Sequence, residues 1–336
     1  MILVTGGTGL VGSHLLFELS KSQQNVRAIY RTKKTIEKVK TIFSYYTDSI
    51  DAHFDRIEWV EADLNDIPKL TEAFEGVKQV YHCAALISFD PSDYYKLREI
   101  NISGTANIVN LCIINAIEKL CYVSSVATMG YDPLKITEET AWNSENEQSV
   151  YAITKYEAEM EVWRGIQEGV PSVIVNPGVI LGPGFSESGS GGLFKRVHKG
   201  LRYATQGVAG YVGVVDAIKS MVLLMNSDCK NERYIIVAEN LSSLDFTTLI
   251  SNAFKLAPPK KIAPKWMHSF AWRLDWLKHK LTGGKRHFTK NLSKTLRTKS
   301  YYSSDKFLET KTDFKFTPIS RVVSEVCHVF SKEVSS

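Results

Sequence analysis

The chain has 336 residues, 44% of them hydrophobic and 11% aromatic, and these proportions exclude a mainly disordered or collagen-like protein. A chain this long is expected to form about two domains, or one large α/β domain with an appendage, without disulfide or metal support. The net charge of +5 is uneven, because residues 255–300 hold 13 Lys and Arg against one acid, Asp275. Such a basic block fits a membrane surface, a nucleic acid, an anionic substrate or simply a solvated face.

Strand-like and helix-like segments alternate from the first residue. The predicted strands cover residues 1–4, 26–30, 57–60, 79–83, 120–123 and 173–175. The predicted helices between them cover residues 10–19, 33–47, 70–74, 101–117 and 151–162. This alternation predicts βαβ units and an α/β fold with a doubly wound parallel sheet.

The pattern changes near residue 180, where several glycines follow one another between Gly182 and Gly192. We therefore predict a dinucleotide-binding domain over 1–180 and a smaller substrate-binding lobe over 181–207 and 239–336. Residues 208–238 are expected to return to the first domain, because 211–215 and 234–237 look like strands.

The cysteine count and the N-terminus bear on location. The five cysteines are an odd number without a C-x-x-C pair, which favours reduced thiols and disfavours a cysteine zinc site. The chain begins with an apolar run that passes directly into Thr5-Gly6, so no secretory signal is expected. No apolar run approaches the roughly 18 residues of a membrane span. The expectation is a cytoplasmic protein that holds no metal.

A glycine-rich turn, Thr5-Gly6-Gly7-Thr8-Gly9-Leu10-Val11-Gly12, joins the first strand to the first helix. Glycines there let the backbone approach a pyrophosphate, and the helix N-terminus offers it free N–H groups and positive dipole. The strand before the turn and the amphipathic helix after it favour this function over a plain structural turn. The candidate contacts are Gly6, Gly9, Leu10, Val11 and Gly12.

The end of the second strand bears on the cofactor. An acid about twenty residues after the glycines would bind a ribose 2′-hydroxyl and favour NAD(H), but no acid lies between Glu18 and Glu37. Arg31 ends that strand instead, and a guanidinium there can pair with a 2′-phosphate. The sequence therefore favours NADP(H) and leaves NAD(H) open, since Arg31 can also be an ordinary exposed arginine.

Tyr151 and Lys155 stand four residues apart on a predicted helix and so share one face. A nearby ammonium lowers the pKa of a phenol, which would let Tyr151 exchange a proton with a substrate oxygen. Upstream, the buried strand ending in Ser124-Ser125 places hydroxyls at the edge where such sheets bind ligands. Each feature alone is common, as a helix face or a turn serine.

Together these features resemble the extended short-chain dehydrogenase/reductase family, also known as the NAD-dependent epimerase/dehydratase superfamily. The resemblance covers residues 1–184, in the family's order. Besides the glycine turn it rests on Asp63-Leu64, His82-Cys83-Ala84-Ala85, Asn101 to Asn107, Ser124-Ser125, Tyr151 with Lys155, and Asn176-Pro177-Gly178. It implies a Rossmann fold with a smaller C-terminal substrate lobe, and it leaves room for a homodimer.

The resemblance also implies roles for single residues. Tyr151 would be the acid/base, Lys155 would lower its pKa and hold the nicotinamide ribose, and Ser125 would polarise the substrate. The expected cofactor contacts beyond the glycine turn are Asp63 at the adenine, Leu64, Ala84, Ala85 and Pro177 by the nicotinamide. Asn101 is a looser match that fits a structural role as well.

Three positions depart from the pattern of sugar-nucleotide enzymes. Asn176 stands where those enzymes usually have Arg, Val179 where they have Asn, and Met129 where they have Tyr. The chain looks closer to the dihydroflavonol reductase and 3β-hydroxysteroid dehydrogenase branch, which implies an apolar substrate with a ketone or secondary alcohol. We therefore expect NADPH-linked reduction of a ketone or aldehyde, or the reverse oxidation. The alternatives are an NAD-dependent sugar-nucleotide epimerase or dehydratase and a non-catalytic nucleotide sensor.

An aromatic and basic segment, residues 265–286, stands near the C-terminus. Its apolar residues are Trp266, Met267, Phe270, Trp272, Leu274, Trp276, Leu277 and Leu281. Its basic residues are Lys265, Arg273, Lys278, Lys280, Lys285 and Arg286. One interpretation is a lid that packs its aromatic residues over the substrate cleft, and the other is a peripheral contact with an anionic membrane. No nucleic-acid-binding motif accompanies the basic block, so no nucleic acid is expected.

Overall fold

The computed structural model of the chain describes residues 1–22, 24–145, 147–186, 189–284, 286 and 288–335. Its strands are β1 (Ile2–Thr5), β2 (Val26–Tyr30), β3 (Ile57–Glu61), β4 (Gln79–His82), β5 (Lys119–Val123), β6 (Ser172–Pro177), β7 (Val179–Leu181), β8 (Tyr203–Ala204), β9 (Val208–Gly213), β10 (Glu232–Ile236), β11 (Glu239–Ser242) and β12 (Lys261–Ile262). Its helices are α1 (Leu10–Ser20), α2 (Lys34–Phe43), α3 (Ile50–Phe54), α4 (Ile67–Ala73), α5 (Tyr94–Leu97), α6 (Gly104–Ile114), α7 (Val150–Gln167), α8 (Gly191–His198), α9 (Val214–Met225), α10 (Ser243–Ala253), α11 (Lys265–Thr282), α12 (Lys290–Thr295), α13 (Asp305–Thr310) and α14 (Ile319–Ser335).

The central sheet has seven parallel strands in the order β10-β6-β5-β4-β1-β2-β3. The chain starts in β1, builds outward through β2 and β3, and then crosses back to β4 on the other side of β1. Such a reversal leaves a crevice outside the carboxyl ends of the strands, between the two halves. The predicted doubly wound Rossmann sheet is therefore confirmed, and the crevice lies over the glycine turn that follows β1.

Both faces of the sheet are covered, which explains why its inner strands read as nearly continuous apolar runs. Successive residues of β1 point to opposite faces. Ile2 and Val4 join a core on one face with residues of α1 and α9, while Leu3 joins the core formed with α4, α6 and α7 on the other. The core thus holds the carboxyl ends of the strands, and the loops that follow them, in fixed positions.

A smaller sheet, in the order β11-β9-β7, lies beside the central one, and its core is shared with α8, α10 and α14. The sequence places 211–215 and 234–237 as strands of the main body. Residues 234–237 are confirmed as part of the central sheet, since β10 pairs with β6 there. Residues 211–215 do not join the central sheet, because β9 pairs with β7 and β11, and the chain turns into α9 after Gly213. The edge position beside β6 is already taken by β10.

Other predicted boundaries move by a few residues. The helix expected over 101–117 is α6, over Gly104–Ile114, preceded by a wider helical turn at Arg98–Ser103. The helix expected over 33–47 is α2, over Lys34–Phe43. The C-terminal helix α14 is amphipathic and was not predicted. Among the helices of the described ranges, none combines the length and the apolar character needed to cross a bilayer.

Candidate active site

The glycine turn after β1 has no room for side chains at Gly6 and Gly12. Gly6 has φ +69°, and a Cβ there would lie 2.6 Å from the backbone nitrogen of Ala84. A Cβ on Gly12 would lie 2.1 Å from the carbonyl oxygen of Gly6. The backbone of the turn therefore packs directly against the first turn of α1 and against the chain that follows β4. Side chains larger than hydrogen would separate these segments.

The N-terminus of α1 is open at this turn. Its N-cap is Gly9, and no side chain caps the helix. The first N–H groups of a helix have no partner within the helix, and they carry the positive end of its dipole. The turn closes on itself through a hydrogen bond from the Gly9 N–H to the Gly6 carbonyl, 3.0 Å. This combination suits a pyrophosphate, as predicted for Gly6, Gly9, Leu10, Val11 and Gly12.

Arg31 and Asp63 lie side by side at the carboxyl ends of β2 and β3, with a guanidinium nitrogen 4.0 Å from a carboxylate oxygen. Both side chains are largely exposed, at 66% and 45%. A cavity of about 180 Å³ opens between Arg31 and the glycine turn, and its lining is completed by Thr8, Thr32 and Thr35. The guanidinium and the hydroxyls of Thr8 and Thr32 are suited to an anion, whereas the Thr35 hydroxyl donates to the Thr32 carbonyl at 2.6 Å.

The segment after β4 is held from two sides. The Ala84 N–H donates to Thr5 Oγ1 at 3.3 Å, and the buried Asn101 accepts from the Leu86 N–H at 2.7 Å and donates to its carbonyl. Asn101 also donates to Thr154 Oγ1 on α7. Asn101 therefore fixes the chain that carries Ala84 and Ala85 relative to α7, which is a structural role.

Leu64 and Pro177, two further predicted cofactor contacts, have buried side chains. Leu64 is buried in the core against Gly104, and its carbonyl accepts from Asn107 Nδ2 at 2.9 Å. Pro177 ends β6 and is buried, next to Gly178, whose N–H donates to the Ile236 carbonyl. Both side chains are therefore largely shielded from solvent.

Ser125 and Tyr151 meet at the crevice. Ser125 follows β5 and caps the short helical turn Val126–Thr128 by accepting from the Ala127 N–H. Tyr151 is in the first turn of α7, whose N-cap Ser149 accepts from the Ala152 N–H. The Ser125 hydroxyl lies near enough to the phenol of Tyr151 to lower its pKa. The structure thus brings together the serine and the tyrosine that the sequence selected.

Lys155 lies one turn further along α7 and is buried. Its Nζ donates to Tyr122 Oη at 2.7 Å and to the Val123 carbonyl at 2.9 Å, and it lies 4.3 Å from the centre of the Tyr122 ring. Burial lowers the pKa of Lys155 to about 7, against the opposing effect of Glu159. The ammonium is thus fixed beneath the site by β5.

The expected depression of the Tyr151 pKa is not what the structure shows. Burial raises the pKa of Tyr151 to about 12, and the neighbouring Ser125 hydroxyl opposes this only in part. The physical reason is that the Lys155 ammonium is directed at Tyr122 and Val123 while the phenol is desolvated. At neutral pH Tyr151 therefore keeps its proton and is set to donate it.

A buried carboxylate below the site was missed by the sequence reasoning. Glu159 is fully buried, and its Oε2 accepts from Ser124 Oγ at 2.5 Å, Thr128 Oγ1 at 2.8 Å and Asn176 Nδ2 at 2.8 Å. Its Oε1 pairs with Arg233 at 3.1 Å. The network ties β5, β6, α7 and β10 together around Ser125. A signal existed, because Glu159 follows Lys155 by four residues, as Lys155 follows Tyr151.

The network also explains Asn176. The sequence identifies it as the residue that stands where sugar-nucleotide enzymes usually have an arginine. Here Asn176 is fully buried and donates to Glu159, Thr128 and the Ser125 carbonyl. It therefore supports the serine turn from below and offers no charge to a ligand.

Comparison with known proteins decides the family. A family model described as the NAD dependent epimerase/dehydratase family matches residues 2–236. The chain belongs to this family. It is an NAD(P)-dependent enzyme of the extended short-chain dehydrogenase/reductase type, as the motifs indicated.

Several of the sequence relatives are named as reductases. A Synechocystis sp. protein with the provisional name dihydroflavonol 4-reductase is 29% identical over 284 residues, which cover 80% of this chain and 77% of that protein. Cinnamoyl-CoA reductase 1 of Petunia hybrida is 24% identical over 270 residues, covering 77% and 78%.

Solved structures share the fold over the whole chain. The crystal structure of gox2253 has a TM-score of 0.81 at 25% identity, covering 99% of this chain and 98% of that one. UDP-glucuronic acid 4-epimerase from Bacillus cereus, solved with NAD, has a TM-score of 0.74 at 17% identity, covering 98% of each chain. At that identity the second likeness concerns the fold alone.

Proposed function

We propose that this enzyme uses NADPH to reduce a ketone or aldehyde on a hydrophobic small molecule, or NADP⁺ for the reverse oxidation. The observation that carries the proposal is that Ser125 and Tyr151 come together at the crevice, where burial raises the pKa of the phenol and so favours its protonated form. A protonated phenol can donate to a carbonyl oxygen as that oxygen gains negative charge. The relatives named as reductases support the same direction of chemistry.

Ser125, Tyr151 and Lys155 have different roles in this reaction. Ser125 and Tyr151 hold the substrate oxygen through two hydroxyls, and Tyr151 delivers its phenolic proton to it. Lys155, fixed by Tyr122 and Val123 and not directed at the phenol, would hold the nicotinamide ribose when the cofactor is bound. The nicotinamide, when bound, supplies the hydride. The N-terminus of α1 would hold its pyrophosphate, because the open helix end and the glycine turn fit that group.

The choice of NADP(H) is supported by the cavity between the glycine turn and α2. Its lining of Thr8, Arg31, Thr32 and Thr35 offers a cation and hydroxyls where a 2′-phosphate would need them. Asp63, 4.0 Å from the guanidinium, is placed to orient Arg31 and to contact the adenine side of the cofactor.

The hydrophobic substrate is supported by what surrounds Tyr151. The Phe89 ring lies 5.6 Å from the Tyr151 ring, edge to face. Met129 is buried, Val179 is 38% exposed, and Asn176 is held by Glu159. These three positions therefore offer no charged group to a sugar nucleotide, and the Phe89 side of the site favours an apolar ligand.

The cofactor preference is tested by replacing Arg31. Arg31→Gln removes the cation from the cavity, so NADPH affinity should fall about 10- to 100-fold, the value of a charge-assisted hydrogen bond. NADH affinity should stay unchanged. The measurement is a fluorescence titration of both cofactors, and Lys33→Gln, on the neighbouring exposed residue, is the matched control. Equal loss of NADPH and NADH binding, or tight NAD⁺ that copurifies with the protein, would favour the sugar-nucleotide alternative.

A further inference from the structure

Helix α11 is attached to the protein by one side only. On that side His268 is buried, with its ring centre 5.9 Å from that of Phe288, and Asp275 pairs with Arg286 at 3.5 Å. Both Asp275 and Arg286 are nearly shielded from solvent, at 14% and 15% exposure. Among the described residues, the helix is therefore anchored along the side that carries His268 and Asp275.

The outer side of α11 is an exposed apolar stripe. Successive residues of a helix are turned by about 100°, so residues 266, 270, 274, 277 and 281 fall within a band about 80° wide on its surface. The side chains of this stripe are 45–76% exposed, and they are Trp266, Phe270, Leu274, Leu277 and Leu281. Trp276, outside the band, is 46% exposed. The lid interpretation expected these aromatics to pack over the cleft, whereas six of the eight apolar residues are exposed in this structure.

Basic side chains border the stripe. On the helical projection Arg273 and Lys280 fall on one edge and Lys278 on the other. The guanidinium of Arg273 lies 4.5 Å from the Trp272 ring, and the Lys280 ammonium lies 5.4 Å from the Trp276 ring. The one acid of the helix, Asp275, faces inward. The sequence residue Lys285 lies outside the described residues.

We propose that α11 is an interfacial helix that docks this enzyme on an anionic lipid bilayer. The stripe would lie at the boundary of headgroups and acyl chains, and Arg273, Lys278 and Lys280 would meet the lipid phosphates. Charge complementarity selects this occupant. A second copy docking on the same stripe would bring like charges together, whereas an anionic surface satisfies both the apolar band and its borders.

The docking helix is connected to the mouth of the active site. The Arg286 N–H, just beyond α11, donates to Asp90 Oδ2 at 2.8 Å. The neighbouring Phe89 contacts the Tyr151 ring. A bilayer beneath α11 would therefore lie beside the segment that lines the substrate end of the crevice. The proposal stands on the helix itself and does not depend on the proposed reaction.

The test is flotation of the full-length protein with vesicles of phosphatidylcholine, alone or mixed with phosphatidylglycerol. The wild type should bind the mixed vesicles at least ~10-fold more tightly than the neutral ones, and high salt should weaken the binding. Phe270→Glu/Leu277→Glu should abolish it. Arg273→Gln/Lys278→Gln/Lys280→Gln should weaken it about 100-fold, from roughly fivefold per charge.

The matched control is Ile114→Glu/Leu134→Glu, which changes two side chains that are 76% and 84% exposed on other elements. It should bind vesicles like the wild type, and NADPH titration should show that every variant is folded. Absence of vesicle binding would overturn the proposal. So would equal loss in the control, or a protein dimer that Phe270→Glu/Leu277→Glu dissociates while no vesicle binds.

Discussion

Glu159 should carry a large share of the stability around the active site. Glu159→Gln keeps the shape of the side chain and removes its charge. The carboxylate accepts from Ser124, Thr128 and Asn176 through one oxygen and from Arg233 through the other. A glutamine offers a single acceptor oxygen, so its NH₂ group must face donors on one of these two sides.

The magnitude follows from the burial of the pair. Glu159 is fully buried, and the Arg233 side chain is 19% exposed. Losing one hydrogen bond to a charged partner costs about 1.5–3 kcal/mol, and leaving a buried charge without its counterion brings the total to about 3–5 kcal/mol. Against a typical unfolding free energy of about 5–15 kcal/mol, this is a severe loss.

Urea unfolding followed by circular dichroism measures the difference. The matched control is Glu157→Gln, on the same helix, where Glu157 pairs with Arg98 on the surface at 2.9 Å. A surface pair contributes at most about 1 kcal/mol, so this variant should unfold almost like the wild type. A Glu159→Gln protein as stable as Glu157→Gln would refute the reasoning that the buried network holds the site together.

Two further outcomes follow from the structure. Gly12→Ala places a Cβ 2.1 Å from the Gly6 carbonyl, so NADPH affinity in a fluorescence titration should fall about 10- to 100-fold, while Gly192→Ala, with nothing within 4 Å, should bind normally. Folding lowers the pKa of Lys155 from 10.5 to about 7. Between these two pH values the unfolded chain therefore keeps a proton on this amine that the folded chain has lost. Wild-type stability relative to Lys155→Met should therefore rise with pH across that window, by up to about 1.4 kcal/mol per pH unit in urea unfolding. A flat difference would contradict the buried placement of the amine.

Much of the fold could be read from local patterns. The glycine turn, the alternating strands and the Tyr151–Lys155 spacing are short-range features, and each depends on residues close in sequence. They locate the crevice because the carboxyl ends of parallel strands meet at one edge. The position of β9 could not be read in this way, since it depends on which strand takes the edge beside β6.

The missed parts of the site are long-range contacts. Glu159 meets Arg233, 74 residues away, and Lys155 meets Tyr122, 33 residues away. Single-sequence patterns do not reveal such pairs. The direction of the Tyr151 pKa was missed for the same reason, because it depends on burial and on where the Lys155 ammonium points in the folded chain.

The most direct test of the central claim is NADPH consumption by the wild type and by Tyr151→Phe over a panel of hydrophobic ketones and aldehydes. Removal of the proton donor should lower turnover about 10²- to 10⁴-fold and leave NADPH binding intact. Tyr156→Phe, on the same helix and stacked on Trp142, is the control and should keep its activity. Full turnover in Tyr151→Phe, or no NADPH consumption by the wild type on any member of the panel, would contradict the claim that this is a tyrosine-dependent carbonyl reductase.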